Sequence, residues 1–128
     1  MLFARAYLLL QALVLAGFGA AYFLHPQDMA SLSGMILVQT ASIVDVRAYY
    51  GALQLGLAVF LLSSAFRPTF LRPALAMLTL LFAALALGRV AGLYLEGTVG
   101  QTFNLYALGY EAVSAVLALV AGRLLERS

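Results

Sequence analysis

Arg47 and Gln54, Arg89 and Glu96, and Asn104 and Glu111 are each seven residues apart, and all six lie in or beside long apolar runs. At about 100° per residue, positions seven apart fall within roughly 20° of one another around a helix axis, so each pair marks one polar face. Tyr50, three residues after Arg47, joins the first face. These residue types suit a small-molecule site, where a few directed polar groups are set in an apolar concavity. Arg47, Gln54, Arg89 and Asn104 can hold the polar or anionic end of a lipophilic molecule. Glu111 has the chemistry of a general acid or base, and Tyr50 can donate a hydrogen bond to a developing oxyanion. An isomerisation, hydration or ring-opening would fit that set.

The cost of placing these groups in lipid argues that they meet. An ionised side chain facing hydrocarbon costs at least about 2.5 to 3.5 kcal/mol, so arginine and glutamate within a span normally face the interior or a wet cavity, paired. At 1.5 Å per residue, Arg89 lies roughly 10 Å and Glu111 roughly 14 Å below one end of their helices, with Gln54 at a similar depth. Arg89 is therefore expected to pair with Glu111, with Arg47, Tyr50, Gln54 and Asn104 at the same level.

Composition dictates the elements that carry them. The 128 residues are 65% hydrophobic and 9% charged, with a mean hydropathy of +1.03. An ordinary soluble domain is about half apolar and about a quarter charged, so this chain belongs in a lipid bilayer. Its formal charge of +2 comes from scattered arginines with no basic stripe, which excludes nucleic acid as a partner. The absence of cysteine removes disulfides, thiol nucleophiles and iron–sulfur clusters. The lone histidine, His25, cannot build a zinc site and the acids are dispersed, so no metal and no cofactor are expected.

Four apolar runs, 3–24, 46–66, 74–95 and 102–125, each approach the roughly 20 residues that cross a hydrocarbon core. The first outlasts a signal-peptide core of about 7 to 15 residues and reads as a retained helix. Pro26, Pro68 and Pro73 fall between the runs, with Pro73 suited to the first turn of the third helix. Asp45 is a candidate N-cap of the second helix, and Gly97 a candidate C-terminal cap of the third. Short connections predict an all-α, antiparallel up-down four-helix transmembrane bundle over residues 1–128, a single domain. Gly88 and Gly92, spaced GxxxG, are expected to let helices approach closely, as are Gly17, Gly19, Gly51 and Gly56. Residues 25–45 form the long outer connection, with "MILV" (35–38) lying against the bundle mouth. Tyr7 and Gln11 read as a bridge between helices, and Tyr49, Tyr106 and Tyr110 as an interfacial belt.

Arg5, Arg67, Arg72, Arg123 and Arg127 collect at the N-terminus, the "RPTFLRP" connection and the C-terminus, which an even-numbered bundle puts on one side. That side should be cytoplasmic, with both termini.

The segments "VRAYYGALQLGLAVFLL" and "LGRVAGLYLEG", with a glutamate inside the fourth run, resemble a family of small bacterial four-helix membrane proteins known only as a domain of unknown function. The resemblance covers nearly the whole chain. Its arginine–tyrosine–glycine signature corresponds to Arg47, Tyr50 and Gly51, its glycine–arginine step to Gly88 and Arg89, and its acidic residue to Glu111. It implies a multi-pass protein of the bacterial inner membrane and no particular activity. A looser likeness to DoxX-like membrane proteins is one of architecture alone.

Three functions fit the pattern. The polar faces can line a pocket that binds, or transforms, a small lipophilic molecule. They can instead fix helix packing in an accessory subunit, a homo-oligomer or a component beside a larger membrane partner. A proton-coupled carrier built on Glu111 is the third, although no inverted repeat or broken helix of the transporter kind is visible.

Overall fold

Where water is absent, a backbone must satisfy its own N–H and C=O groups, and long apolar runs do so as helices. The computed structural model describes residues 1–127. Six α-helices follow in order: α1 (Leu2–Leu24), α2 (Pro26–Ser31), α3 (Thr40–Val46), α4 (Leu53–Ala65), α5 (Pro68–Glu96) and α6 (Thr102–Glu126). A π-helical turn, Arg47–Ala52, joins α3 to α4 without a break. No strand occurs among the described residues. Four helices are long and apolar enough to cross a membrane: α1, the continuous Thr40–Ala65, α5 and α6. The chain is thus all-α with four membrane-compatible helices, as its composition requires. The 29 residues of α5 span about 43 Å, longer than a hydrocarbon core of about 30 Å, so this helix tilts or emerges at an end.

Two helix starts differ from expectation. The second long helix begins at Thr40, which places Asp45 inside α3; its N-cap is Gln39, whose side chain makes no capping bond. The third begins at Pro68 because a proline at the first helical position loses no intrahelical bond. The Phe70 N–H closes that first turn onto the Arg67 carbonyl at 2.9 Å. Pro73 therefore lies inside α5 rather than in its first turn or between runs. There it forgoes the one bond an N–H would make to the Thr69 carbonyl. The other end of α5 is as expected: Gly97 adopts φ +86° and its N–H bonds the Leu93 carbonyl at 2.8 Å.

Two compact units make up the chain: Met1–Tyr7 with the residues from Arg67 onward, and Leu8–Phe66. In the first, α5 and α6 pack against each other. α5 buries Leu71, Ala74, Leu75, Leu78 and Phe82, and α6 buries Glu111, Ser114, Ala118, Ala121 and Leu125. The alternating three- and four-residue spacing in α6 is that of a coiled-coil seam, and the small residues along it favour close packing. Phe82 meets Tyr110 edge-on at 5.6 Å between ring centroids. Tyr7 fulfils its bridging role, donating its hydroxyl to the Ser114 carbonyl at 2.6 Å and so tying the start of α1 to α6.

In the second unit, α1 crosses the π turn at two glycines. A Cβ on Gly19 would lie 2.9 Å from the Gly51 carbonyl oxygen, and one on Gly51 would lie 3.0 Å from the Phe23 backbone nitrogen. Close approach in the chain is thus made by Gly19 and Gly51. Gly88 and Gly92, the expected packing motif, have nothing within 4 Å of an added Cβ, and neither do Gly17 and Gly56. The connection between α2 and α3 meets its expectation only in part. Residues 35–38 are irregular; Met35 and Leu37 are half-buried, whereas Ile36 and Val38 are 85% and 84% exposed and project away from the protein.

Candidate functional site

The last turns of α5 and the first turns of α6 flank the short connection 97–101, which brings their polar residues to one level. Arg89 donates from Nε to Glu111 Oε1 at 2.6 Å, the pairing expected from spacing and depth. Its Nη1 donates to Asn104 Oδ1, also at 2.6 Å. Since that oxygen accepts from arginine, the Asn104 amide can only donate onward, and Nδ2 does so to Gln101 Oε1 at 2.6 Å. The result is a network in which donation diverges from Arg89, to Glu111 on one side and through Asn104 to Gln101 on the other. The terminal group on that second side is the Gln101 NH₂, a donor.

Burial divides the roles within this network. The Glu111 side chain is 5% exposed and that of Arg89 is 29% exposed. Charge-assisted bonds of this length are strong and directional, and Glu111 and Asn104 hold the guanidinium in one orientation. An ion pair of this kind sets position more than it adds net stability, because desolvation offsets most of the attraction.

Beside the network lies an open groove of about 480 Å³. Ala84, Leu85, Gly88, Gly92 and Leu93 form its apolar side, and Arg89, Glu96, Gln101 and Asn104 its polar end. Gly88 and Gly92 lie on the same side of α5 as Ala84, one turn apart each time, and the absence of side chains there leaves the groove its depth. Glu111 is not among the lining residues; it sits behind Arg89. The lining charges are one guanidinium and one carboxylate, so the groove itself carries no net positive charge.

Arg47, Tyr50 and Gln54 belong to the other unit, where each has its own partners. Arg47 Nε donates to the Phe23 carbonyl at 2.9 Å, satisfying one of the orphan acceptors at the end of α1 with a cation where the helix dipole favours one. The Tyr50 ring packs on Tyr22 at 5.3 Å. Gln54 Nε2 bonds back to the Tyr50 carbonyl at 2.6 Å. That bond spans the C-terminal edge of the π turn, whose wider geometry removes Gln54 from the face of Arg47. The i, i+7 reading of that pair assumed an unbroken α-helix, which is why it fails.

One member of the site escaped the sequence reading. Gln101 sits in the "EGTVGQ" turn, and its only signal was lying three residues before Asn104. Glu96 was visible as the partner of Arg89 on one face, and both do line the groove. The tyrosines proposed for an interfacial belt are exposed, Tyr49 and Tyr106 more so than Tyr110.

Residues 3–121 match the model of a protein family described as Domain of unknown function (DUF4345). No curated protein and no solved structure matches the chain.

Proposed function

The chain belongs to the DUF4345 family, and from that premise we propose that its α5–α6 groove binds a membrane-soluble amphiphile through an uncharged, hydrogen-bond-accepting end, such as a carbonyl. The supporting observation is what the hydrogen-bond network leaves over at the groove. Arg89 donates to the buried Glu111 and, through Asn104, donation passes to the Gln101 oxygen, so the groups that remain there are donors, the Gln101 NH₂ and the remaining Arg89 N–H groups. An accepting group completes that network. An anionic end does not suit it, because Glu111 already neutralises Arg89 and Glu96 adds a carboxylate to the wall. The apolar remainder of the ligand lies along Ala84, Gly88 and Gly92.

Binding is preferred to catalysis because Glu111 is behind Arg89 rather than in the groove; its part is to orient the guanidinium. A pure packing staple would bury both partners, whereas Arg89 keeps 29% of its side chain exposed. The protein then sits in the bacterial inner membrane as a four-helix bundle, its arginine-rich end facing the cytoplasm.

Purification in mild detergent followed by solvent extraction and mass spectrometry tests this. A neutral carbonyl-bearing amphiphile should accompany the wild type and be lost from Gly88→Leu, which fills the groove on its open side. Equal content in wild type and a folded Gly88→Leu variant refutes the reading, as does an anionic lipid held through Arg89.

A further inference from the structure

A second cleft opens at the N-terminal end of α5, about 310 Å³, lined by Met1, Pro68, Thr69, Leu71, Arg72 and Leu125. The starts of α1 and α5 and the end of α6 therefore meet around it. Because each of these helices is apolar enough to span a bilayer, their shared end lies at the depth of lipid headgroups.

One side chain beside this cleft, Arg5, which touches its lining residue Met1, has an unsatisfied atom. Arg5 Nε is shielded from solvent and has no hydrogen-bond partner, the only such side-chain atom among the described residues. From Nη2, Arg5 reaches only the thioether of Met1, a lining residue, at 3.5 Å among the described residues. Sulfur is a weak acceptor, so this contact does not repay the desolvation of a guanidinium. Buried polar groups without partners are rare in native proteins and call for a missing partner. A second guanidinium, Arg72, lines the cleft itself, and no aspartate or glutamate among the described residues does. The first turn of the 29-residue α5 forms another part of the wall and adds the positive end of a long helix. Arg67, nearby in sequence, is engaged elsewhere, 5.7 Å above the Phe70 ring.

We propose that this cleft binds the phosphodiester of an anionic phospholipid, with Arg5 and Arg72 on the phosphate oxygens and the acyl chains along the apolar helix surfaces. Guanidinium forks match phosphate geometry, and two of them with no aspartate or glutamate among the described lining residues favour a headgroup that carries no compensating cation. The site is separate from the groove at Arg89 and does not depend on what that groove holds.

Native mass spectrometry of the full chain, released from nanodiscs of phosphatidylglycerol and phosphatidylcholine in equal amounts, reads the preference directly. Wild type should retain phosphatidylglycerol at least tenfold over phosphatidylcholine, and Arg5→Gln with Arg72→Gln should bring the ratio to about one. Millimolar inorganic phosphate should not displace the lipid. Because Arg5 is partly buried, the exposed Arg72→Gln alone is the second variant, expected to lower the ratio severalfold with helix content unchanged. Equal retention of the two lipids by wild type, an undiminished ratio in Arg72→Gln, or displacement by free phosphate overturns the proposal.

Discussion

Replacing Gly19 by alanine sets two opposing effects against each other, and the geometry decides which prevails. The new methyl carbon would stand 2.9 Å from the Gly51 carbonyl oxygen and 3.0 Å from both Cγ and the backbone nitrogen of Leu55. Carbon contacts are comfortable at about 3.5 to 4.0 Å, so α1 and the π turn must separate by roughly half an ångström or more. Two of the three atoms are backbone and cannot swing aside. Overpacking of this kind costs about 1–3 kcal/mol, against a gain of about 0.5–1 kcal/mol for removing a glycine from a helix interior. Gly19→Ala should therefore destabilise the protein. Gly88→Ala meets nothing within 4 Å and should show only the gain, about 0.5–1 kcal/mol. The two substitutions are chemically identical, so their difference isolates the close approach, and it should amount to about 1–3 kcal/mol. Unfolding by dodecyl sulfate in mixed micelles, followed by circular dichroism, measures both. Shifts of the same sign and size, or greater damage from Gly88→Ala, would refute the assignment of the helix crossing to Gly19 and Gly51.

Two further substitutions follow from the unit that contains α5 and α6. Glu111→Leu strands the Arg89 guanidinium and should cost up to about 3 kcal/mol, lessened by the partial exposure of Arg89, whereas the double change with Arg89→Met should return to within about 1 kcal/mol of wild type. A double-mutant cycle in the same micelles that finds no coupling removes the ion pair from the account. Tyr7→Phe deletes the bond to the Ser114 carbonyl and should cost about 1 kcal/mol. Hydrogen exchange in the first turns of α1 should quicken with it, and unchanged exchange would show that the bond holds nothing in place.

Apolar length made the four spans readable, since the bilayer demands a run of roughly fixed size and helix is the only local solution for it. The start of α5 was obscured by its own prolines: "RPTFLRP" looks like a connection, yet Pro68 is at home in a first turn and Pro73 comes early enough to lose a single bond. Depth and spacing together found Arg89 with Glu111, because two costly groups on adjacent helices have few other ways to be satisfied. Asn104 came with them on the same face as Glu111. Gln101 did not, since turn residues carry no periodicity. Glycine spacing misled, because GxxxG records which backbones are bare and says nothing of which backbones meet. Gly19 and Gly51 are far apart in sequence and no pattern joins them.

The π turn has a consequence for how this chain can change length. Val46, Ala58, Leu61 and Ala65 are all buried. Along an unbroken α-helix, Val46 and Ala65, nineteen residues apart, would point about 100° away from each other. A π turn takes up one residue more than the rotation needs, so the interval counts as about eighteen residues, or five whole turns, and the two point the same way. Ala58 and Leu61 then fall within about 40° of that direction. The segment "RAYYGA" thus works as a phase corrector, turning a buried stripe that is out of step in the sequence into one that is continuous in space. Loss of one residue from it leaves a plain α-helix with both flanking faces still aligned. The same loss anywhere in α4 would swing every later side chain of that helix by about 100°, so tolerance to deletion is concentrated in these six positions.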